Sequence, residues 1–313
     1  MRYVIKKTGV LIVTLLLVSL LAFLAFEIIP GDPTTKLLGT EYTPERAEAL
    51  REQLGLNRSV PVRYLDWLRS LFTGDMGMSY SYFMPVREVL RGKVAVTAAL
   101  SVLSWIMVTA AGTFIGVALV RYKGRRWNSA ALILNHVFMA VPPFFLGILF
   151  TFLFGLVLKL FVPGRFVPFS ESFFGCIGYL VFPALAVSIP KCAKVAALLR
   201  SAILNEMDLD YVRTAYSHGN SRWMVIRDHV FRNAILSVIT YLAMSLADIV
   251  ASSIIVEQVF VLPGLGRLLI SSISSRDFPV ALCIVVIIAS VVVFMNYLAD
   301  IVSQYLDPRV RLS

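Results

Sequence analysis

The stretch DYVRTAYSHGNSRWMVIRDHVFRN, Asp210 to Asn233, is charged, yet it lies between two long apolar segments. Apolar residues recur at helical spacing on both sides of its Gly219-Asn220 pair. Glycine and asparagine tolerate the left-handed backbone that ends a helix, and Ser221 is a favourable N-cap for the next one. The stretch therefore predicts a helix, a tight turn and a second helix.

Each predicted helix of this insert has one apolar face. The faces consist of Leu209, Val212, Ala215 and Tyr216 before the turn, and of Trp223, Ile226 and Val230 after it. Composition leaves two interpretations open. The insert is either an interfacial loop whose arginines meet lipid headgroups, or a rigid element that docks on a partner protein.

The segments around the insert are membrane-like, since the chain is 58% hydrophobic and only 15% charged, against about 25% charged residues in soluble proteins. Six stretches reach the ~20 apolar residues that a helix needs to cross a bilayer. They are residues 9–29, 95–120, 130–158, 175–198, 233–256 and 279–303. We expect a bend at Pro142-Pro143 in the third span and a kink near Pro183 and Pro190 in the fourth.

Basic residues predict the orientation. With a cytoplasmic amino terminus, the inner ends and inner connections hold 16 of the 29 lysines and arginines, and the short outer connections hold four. This bias predicts six spans with both termini inside. It also explains the net charge of +10 without nucleic acid as a partner.

The predicted organisation follows from these spans. Residues 1–30 form an amino-terminal transmembrane helix, 31–93 an extracytoplasmic region, 94–304 the transmembrane core with the insert at 205–232, and 305–313 a cytoplasmic tail. In the outer region Thr43 is expected to cap a helix that begins at Pro44. A second, amphipathic helix has its apolar residues at Val62, Leu65, Leu68, Leu71 and Phe72, with Trp67 beside them. It rests on the membrane or on other loops, or it belongs to a docking surface for an external partner.

The insert resembles the EAA loop of ABC importer permeases, in the version found in the dipeptide, oligopeptide and nickel permease family. That version reads approximately D-Y-V-R-T-A-R-A-K-G and, after a spacer, H-x-x-R-N-A. The matching residues here are Asp210, Tyr211, Val212, Arg213, Thr214, Ala215, Gly219, His229, Arg232, Asn233 and Ala234. Tyr216, Ser217 and His218 stand where the family usually has Arg-Ala-Lys, which leaves the fit to a particular ATPase open.

Four further blocks resemble the same family, in order along the chain. They are IPGDP at Ile29–Pro33, the block 55–80 with Gly74, Asp75, Gly77 and Ser79, the block 259–280 with Pro263, Gly264, Gly266, Arg267, Arg276, Asp277 and Pro279, and DPRVR at Asp307–Arg311. The resemblance therefore covers nearly the whole chain. It implies an all-α type I ABC importer permease fold in a bacterial or archaeal cytoplasmic membrane.

The resemblance also implies a mechanism and partners. Residues 208–232 would dock on a cytoplasmic ATPase, with the contacts expected at Asp210, Tyr211, Arg213, Ala215, Tyr216, Gly219, Trp223 and Arg227. The partners would be two ATP-binding subunits, a second, related permease chain and an extracytoplasmic solute-binding protein. ATP and Mg²⁺ would bind the ATPase subunits, since no G-x-x-x-x-G-K-[ST] loop occurs in this sequence. Peptides are the first cargo expected, and nickel or another chelated metal the second.

A few polar residues within the spans are the remaining candidates. Asp248 is expected to line the pathway or to bond neighbouring helices, because a charge at the bilayer centre costs ~2.5–3.5 kcal/mol. Ser245, Ser252 and Asn296 line a polar path or join helices. The three histidines have no ligand-like spacing, and Cys176, Cys192 and Cys283 are read as buried apolar residues. An ion-driven carrier remains the rival class, although no internal repeat supports it.

Overall fold

The computed structural model describes residues 2–28 and 33–306. Within them the structure contains fourteen α-helices and no β-strand, which confirms the all-α prediction. The motif DPRVR and, apart from Pro33, the motif IPGDP lie outside the described residues. Most of the predicted tail at 305–313 lies outside them as well.

The helices follow one another with short connections. They are α1 (Arg2–Ile28), α2 (Pro33–Leu38), α3 (Pro44–Gln53), α4 (Val60–Phe72), α5 (Val86–Leu90), α6 (Lys93–Arg121), α7 (Arg126–Ala140), α8 (Pro143–Phe150), α9 (Phe173–Glu206), α10 (Asp210–Ser217), α11 (Arg222–Val225), α12 (Phe231–Val259), α13 (Leu265–Ser274) and α14 (Phe278–Leu306). Wider π-helical turns follow α8 and α11, at Thr151–Val157 and Ile226–Val230. The chain divides into two compact units, one of residues up to 95 with 263–293 and the other of 96–262 with the residues from 294 onwards.

Five helical segments of the described residues are long and apolar enough to cross a membrane. They are Ile5–Ile28, Val86–Arg121, Phe173–Glu206, Arg222–Val259 and Phe278–Val302. The predicted third span is instead a pair, Arg126–Ala140 and Pro143–Val157, bent by 100°. The count is therefore five, or six if this pair is one broken span.

The bend in the third span has a local cause. Val141 and Pro142 both adopt extended backbone angles, with ψ of 126° and 141°. A residue that precedes proline is disfavoured in the helical region, so the Pro142-Pro143 pair interrupts the helix for two residues. The predicted bend is confirmed and is much sharper than a kink. By contrast, α9 is one continuous helix that contains both Pro183 and Pro190.

Three helices form the centre of the second unit. Helix α9 packs against α12, and the indole of Trp105 on α6 donates a hydrogen bond of 2.9 Å to the carbonyl of Leu242 on α12. The fully buried Glu257 near the outer end of α12 accepts a 2.6 Å bond from the hydroxyl of Thr97 on α6. Its carboxylate therefore does not reach outward from the helix end.

The approach of α6 to α9 depends on two glycines. A Cβ placed on Gly112 would lie 2.7 Å from the Cβ of Val195, and one on Gly116 would lie 3.0 Å from the Cβ of Leu199. Small residues at this spacing let transmembrane helices pack backbone to backbone, where dispersion replaces the hydrophobic effect as the driving force. This Gly-x-x-x-Gly pair was not singled out in the sequence, although its spacing was readable.

Helix α4 of the first unit forms where the amphipathic helix was predicted, and it packs on α1 through the side that carries Arg63 and Tyr64. Its Tyr64 hydroxyl lies 2.8 Å from the Ser19 hydroxyl of α1, and Arg63 pairs with Glu27 at 2.6 Å. The predicted apolar face is partly exposed, with Leu65 61% and Phe72 80% accessible and Leu68 and Leu71 half-buried. The helix thus packs on α1 through its aromatic and charged side. That side gives Ser19 and Glu27 of α1 hydrogen-bonding partners and also buries aromatic surface.

Two of the sequence blocks meet at one carboxylate in the first unit. Asp277 is fully buried and accepts bonds from the Ser79 hydroxyl at 2.5 Å and from the backbone N–H groups of Tyr80 and Ser81 at 3.0 and 3.1 Å. Burial, followed by the nearby Asp277, raises the pKa of Tyr80, and Arg63 opposes the rise. A buried carboxylate with several donors is a strong joint between segments distant in sequence.

The glycine contact predicts a stability effect in the α6–α9 packing. Gly112→Ala places a methyl group against Val195 and should lower the unfolding free energy by about 1–3 kcal/mol, as overpacking does in cores. Gly178→Ala is the matched control, because a Cβ on Gly178 of α9 meets nothing within 4 Å. Thermal unfolding of both variants in detergent measures the difference, and equal melting temperatures would contradict the role of Gly112.

The carboxylate joint predicts a second effect. Asp277→Ala leaves the N–H groups of Tyr80 and Ser81 without their acceptor, which should cost about 1–3 kcal/mol for each buried unsatisfied donor. Asp66→Ala removes a more exposed carboxylate, paired with Arg58 at 3.0 Å, and should be nearly silent. Limited proteolysis of the outer region reports the loss, and a resistant Asp277→Ala variant would rule the joint out.

Candidate functional site

The insert forms the predicted hairpin, with one difference. Helix α10 ends at Ser217, Gly219 has φ of +82°, and α11 begins after Ser221. The second helix is not separate, because α11, the π-helical turn and α12 form one helical segment from Arg222 to Val259. The predicted helix, turn and second helix are confirmed, and the second helix runs on into the fifth span because no helix-breaking residue stands between them. The hairpin is therefore a direct extension of that span.

Local hydrogen bonds fix the turn. The amide of Asn220 donates to the carbonyl of Ala215 at 3.0 Å, which satisfies one of the free carbonyls at the end of α10. The Ser221 hydroxyl accepts from the N–H of Met224 at 3.4 Å, as expected for an N-cap. A Cβ on Gly219 would meet no atom within 4 Å. Glycine is required there for its backbone angle and not for space.

The inner faces of the two arms close on each other. The buried side chains are Val212 and Ala215 on α10, and Val225, Ile226 and Val230 on the second arm. Leu209 and Tyr216, which were predicted on the same face as Val212, are exposed. The two arms of the hairpin contact each other along a single row of side chains. Leu209 and Tyr216, at the edges of the predicted apolar face, therefore stay exposed to solvent.

Tyr211 ties the hairpin to the helices on both sides of it. Its hydroxyl donates to a carboxylate oxygen of Glu206 at 2.5 Å and accepts from the amide of Asn233 at 3.3 Å. Burial, together with the bond to Glu206, raises the pKa of Tyr211, so the hydroxyl keeps its proton and its donor role. One side chain thus joins the end of α9, the start of α10 and the start of α12.

Trp223 is held on its other side by α6. The guanidinium carbon of Arg121 lies 4.6 Å from the centre of the Trp223 ring, within the range of a cation–π contact. The ring is half-buried, and Arg121 ends the long helix α6. The hairpin therefore contacts three helices of the second unit, namely α6, α9 and α12.

The eight residues predicted for ATPase docking separate into two groups. Asp210, Arg213, Tyr216, Gly219 and Arg227 are exposed, whereas Tyr211, Ala215 and Trp223 face the hairpin and its supporting helices. Arg227 is already engaged by its neighbour Asp228, with two bonds of 2.6 and 2.9 Å. His218, where the chain departs from the family pattern, is exposed at the end of α10. The exposed group forms the outer surface of the hairpin, and the inward group packs within it.

Asp248 has a partner that was not anticipated. Its carboxylate pairs with the ammonium of Lys191, which lies near the middle of α9 as Asp248 lies near the middle of α12. In the sequence, Lys191 interrupts the predicted fourth span and was counted among the basic residues of its inner end, whereas the structure places it near the middle of α9. Two opposite charges at similar depth in consecutive spans were the signal for this pair.

The other predicted pathway residues are divided. Ser252 is half-exposed on α12, and its hydroxyl donates to the backbone carbonyl of Asp248 at 2.6 Å. Ser245 is buried and bonds to the carbonyl of Leu242 in its own helix at 2.8 Å. Asn296 is exposed on α14. Among these residues only Ser252 therefore shares the surroundings of Asp248.

No metal-binding arrangement is found within residues 2–28 and 33–306, since no three His, Cys, Asp or Glu side chains group there. The three cysteines are free and buried, as predicted. The hairpin and the Lys191–Asp248 pair are polar features of the second unit that lie between α9 and α12.

Comparison with known proteins identifies the group to which these features belong. Residues 108–312 match the family model "Binding-protein-dependent transport system inner membrane component", and residues 1–101 match the amino-terminal model of the same systems. A putative peptide transport system permease protein of Brucella abortus (strain 2308) is 34% identical over 98% of both chains. The oligopeptide transport system permease protein AppB of Bacillus subtilis (strain 168) is 30% identical over 99% of both.

A solved structure supports the fold. The crystal structure of an amino acid ABC transporter with histidines superimposes with a TM-score of 0.54, at 18% identity, over 70% of this chain and 94% of that chain. The chain therefore belongs to the family of binding-protein-dependent transport system inner membrane components, and it is a multi-pass protein of the cytoplasmic membrane.

Proposed function

We propose that the chain is the permease subunit of an ATP-driven importer and that its cargo is a dipeptide or an oligopeptide. The printed names of the relatives support the cargo class, since they include peptide, dipeptide and oligopeptide permeases along the full length of this chain. Nickel or a chelated metal is the alternative within the family, and none of these names favours it.

The observation that carries the transport mechanism is the hairpin. Its outer surface is exposed, its inner face is packed, and its second arm is continuous with the fifth span. A force applied to α10 therefore reaches α12 through the unbroken helical segment Arg222–Val259. It reaches α9 through the hydrogen bond between Tyr211 and Glu206. We infer that the hairpin, α9 and α12 move as one rigid body when separate ATPase subunits close, which changes the side of the membrane to which the permease opens.

The partners follow from that mechanism. Two ATP-binding subunits supply ATP and Mg²⁺, each docking on one hairpin. A second permease chain, related to this one and not identical, completes the pair, and an extracytoplasmic solute-binding protein delivers the cargo. The exposed residues Asp210, Arg213, Tyr216 and Arg227 are the proposed contacts to the ATPase, and Gly219 shapes the turn between them.

Reconstitution tests the proposed function. The full complex in proteoliposomes should accumulate radiolabelled dipeptides to pentapeptides in the presence of ATP and should not accumulate radioactive nickel. Partner ATPase subunits without hydrolytic activity should abolish uptake. Uptake that persists with these inactive ATPase subunits would show an ion-driven carrier. Uptake of nickel without uptake of peptides would show that the cargo is a metal.

Gly219→Val tests the turn. A β-branched residue in the left-handed region is strained by about 1–2 kcal/mol, so the turn should distort and the docking surface should shift. ATP hydrolysis should continue while transport falls by at least about tenfold, a loss within the usual range of coupling energies. Gly124→Val is the matched control, because Gly124 has φ of +95° in the other inner connection and an equally open Cβ position. Wild-type transport in Gly219→Val would contradict the proposal that this turn couples the ATPase to the permease.

Tyr211→Phe tests the transmission. The change removes only the hydroxyl that joins Glu206 and Asn233, so folding and ATP hydrolysis should persist while the peptide moved per ATP decreases several-fold. Tyr122→Phe is the control, since the Tyr122 ring keeps its contact with Arg125 at 5.1 Å without the hydroxyl. Equal transport-to-hydrolysis ratios in the two variants would remove Tyr211 from the mechanism.

A further inference from the structure

The Lys191–Asp248 pair lies at the centre of two candidate spans. Both residues are about midway along their helices, α9 and α12, far from the ends where charged side chains reach the headgroups. An ionised side chain in hydrocarbon is costly, so such a pair faces protein or water rather than lipid.

The two members of the pair are unequally buried. The Lys191 side chain is 9% accessible, whereas the Asp248 side chain is 64% accessible. Lys191 thus lies beneath Asp248, and Asp248 presents its carboxylate outward. A molecule that approaches this face meets the carboxylate and does not reach the ammonium.

The Asp248 carboxylate can accept hydrogen bonds beyond the one from Lys191, and it is accessible for them. An ionised carboxylate has two oxygens and accepts several hydrogen bonds, and Lys191 engages the Oδ2 atom. The Ser252 hydroxyl bonds to the backbone carbonyl of Asp248 and not to its side chain. Lys191 therefore engages one oxygen of Asp248, while the exposed carboxylate keeps room for a second cation.

The surroundings of the carboxylate combine apolar side chains with one aromatic–cation contact. Tyr241, seven residues before Asp248, holds the exposed ammonium of Lys194 5.1 Å from its ring centre. Met244 and Ile255, four residues before and seven after Asp248, lie on the same face of α12 and are exposed. Water does not compete strongly on such a surface, and a hydrogen-bonded ion pair is stronger in a low dielectric than in bulk water. Because Lys194 is engaged with the Tyr241 ring, the face still offers one anionic contact beside flexible apolar contacts, which suits a ligand with one cationic group and variable side chains.

We propose that Asp248 is a cargo-binding residue of the translocation pathway and that it accepts the free α-ammonium group of a peptide. Lys191 is a positioning residue, which holds the carboxylate aimed outward. This inference rests on the proposed function, because it takes the cargo to be a peptide. It adds the end of the peptide that the permease recognises and the residue that recognises it.

Uptake measurements test the charge. Asp248→Asn alone leaves a buried ammonium without its partner, so Lys191→Met/Asp248→Asn is the main variant and Asp248→Glu the conservative one. In proteoliposomes with the full complex, the double variant should raise KM for a free tripeptide and for its carboxyl-amidated form at least about tenfold. Asp248→Glu should restore KM to within about threefold of the wild type. Asp66→Asn, which changes a carboxylate on the outer helix α4, should have no effect.

The amino-acetylated form of the same tripeptide provides the contrast. It lacks the cation, so its uptake should be equally slow in the wild type and in the double variant. An acetylated peptide that loses as much uptake as the free one, or a glutamate variant no better than the asparagine variant, would overturn the proposal.

Labelling tests the location independently. In a background without the three native cysteines, Ser252→Cys, four residues after the intact Asp248, should react with a membrane-impermeant thiol reagent, and saturating tripeptide should slow the reaction at least about tenfold. No reaction in any nucleotide state would place Asp248 outside the pathway. A wild-type complex that takes up no peptide of any form would refute the proposed function itself, whereas peptide uptake that is indifferent to Asp248 would refute only this inference.

Discussion

The packing of α9 against α12 is the constraint on which the rest of the structure depends. Lipid tails are as apolar as leucine side chains, so two helices in a bilayer stay together through close contact and polar bonds rather than through the hydrophobic effect. Here the contact is reinforced at two depths. Lys191 and Asp248 join the helices near their centres, and Tyr211 joins Glu206 to Asn233 at one end of each.

This arrangement explains why a charged hairpin interrupts an otherwise apolar region. Helix α10 and its turn connect the same two helices that the ion pair joins, so the hairpin closes the α9–α12 unit at its end. Arg121 on Trp223 adds α6, which approaches α9 through Gly112 and Gly116. The exposed side of the hairpin is then the free end of a three-helix body, where a partner could push on all three helices together.

The sequence was sufficient for features that depend on nearby residues. Thr43 caps α3, Gly219 takes a left-handed angle, and Pro142-Pro143 breaks the third span, because each follows from local backbone preferences. Features set by neighbours distant in the sequence were missed or misplaced. Helix α4 packs its aromatic side against α1 because Ser19 and Glu27 provide partners there. Lys191 pairs with Asp248, which is 57 residues away in the sequence. Periodicity identifies apolar faces, and it does not say which polar groups will meet.

The central claim is that the hairpin moves rigidly with α9 and α12. Spin labels at Ser217→Cys on the hairpin and Gln258→Cys at the far end of α12, in a background without native cysteines, report the distance between these two sites. Pulsed electron paramagnetic resonance measures this distance in the assembled complex. The account predicts that the distance between the two labels changes by less than about 2 Å between the nucleotide-free and the ADP–vanadate states, as in a rigid-body transition. A change of more than about 5 Å, roughly one helical turn, would show that the hairpin moves on its own and would contradict the account.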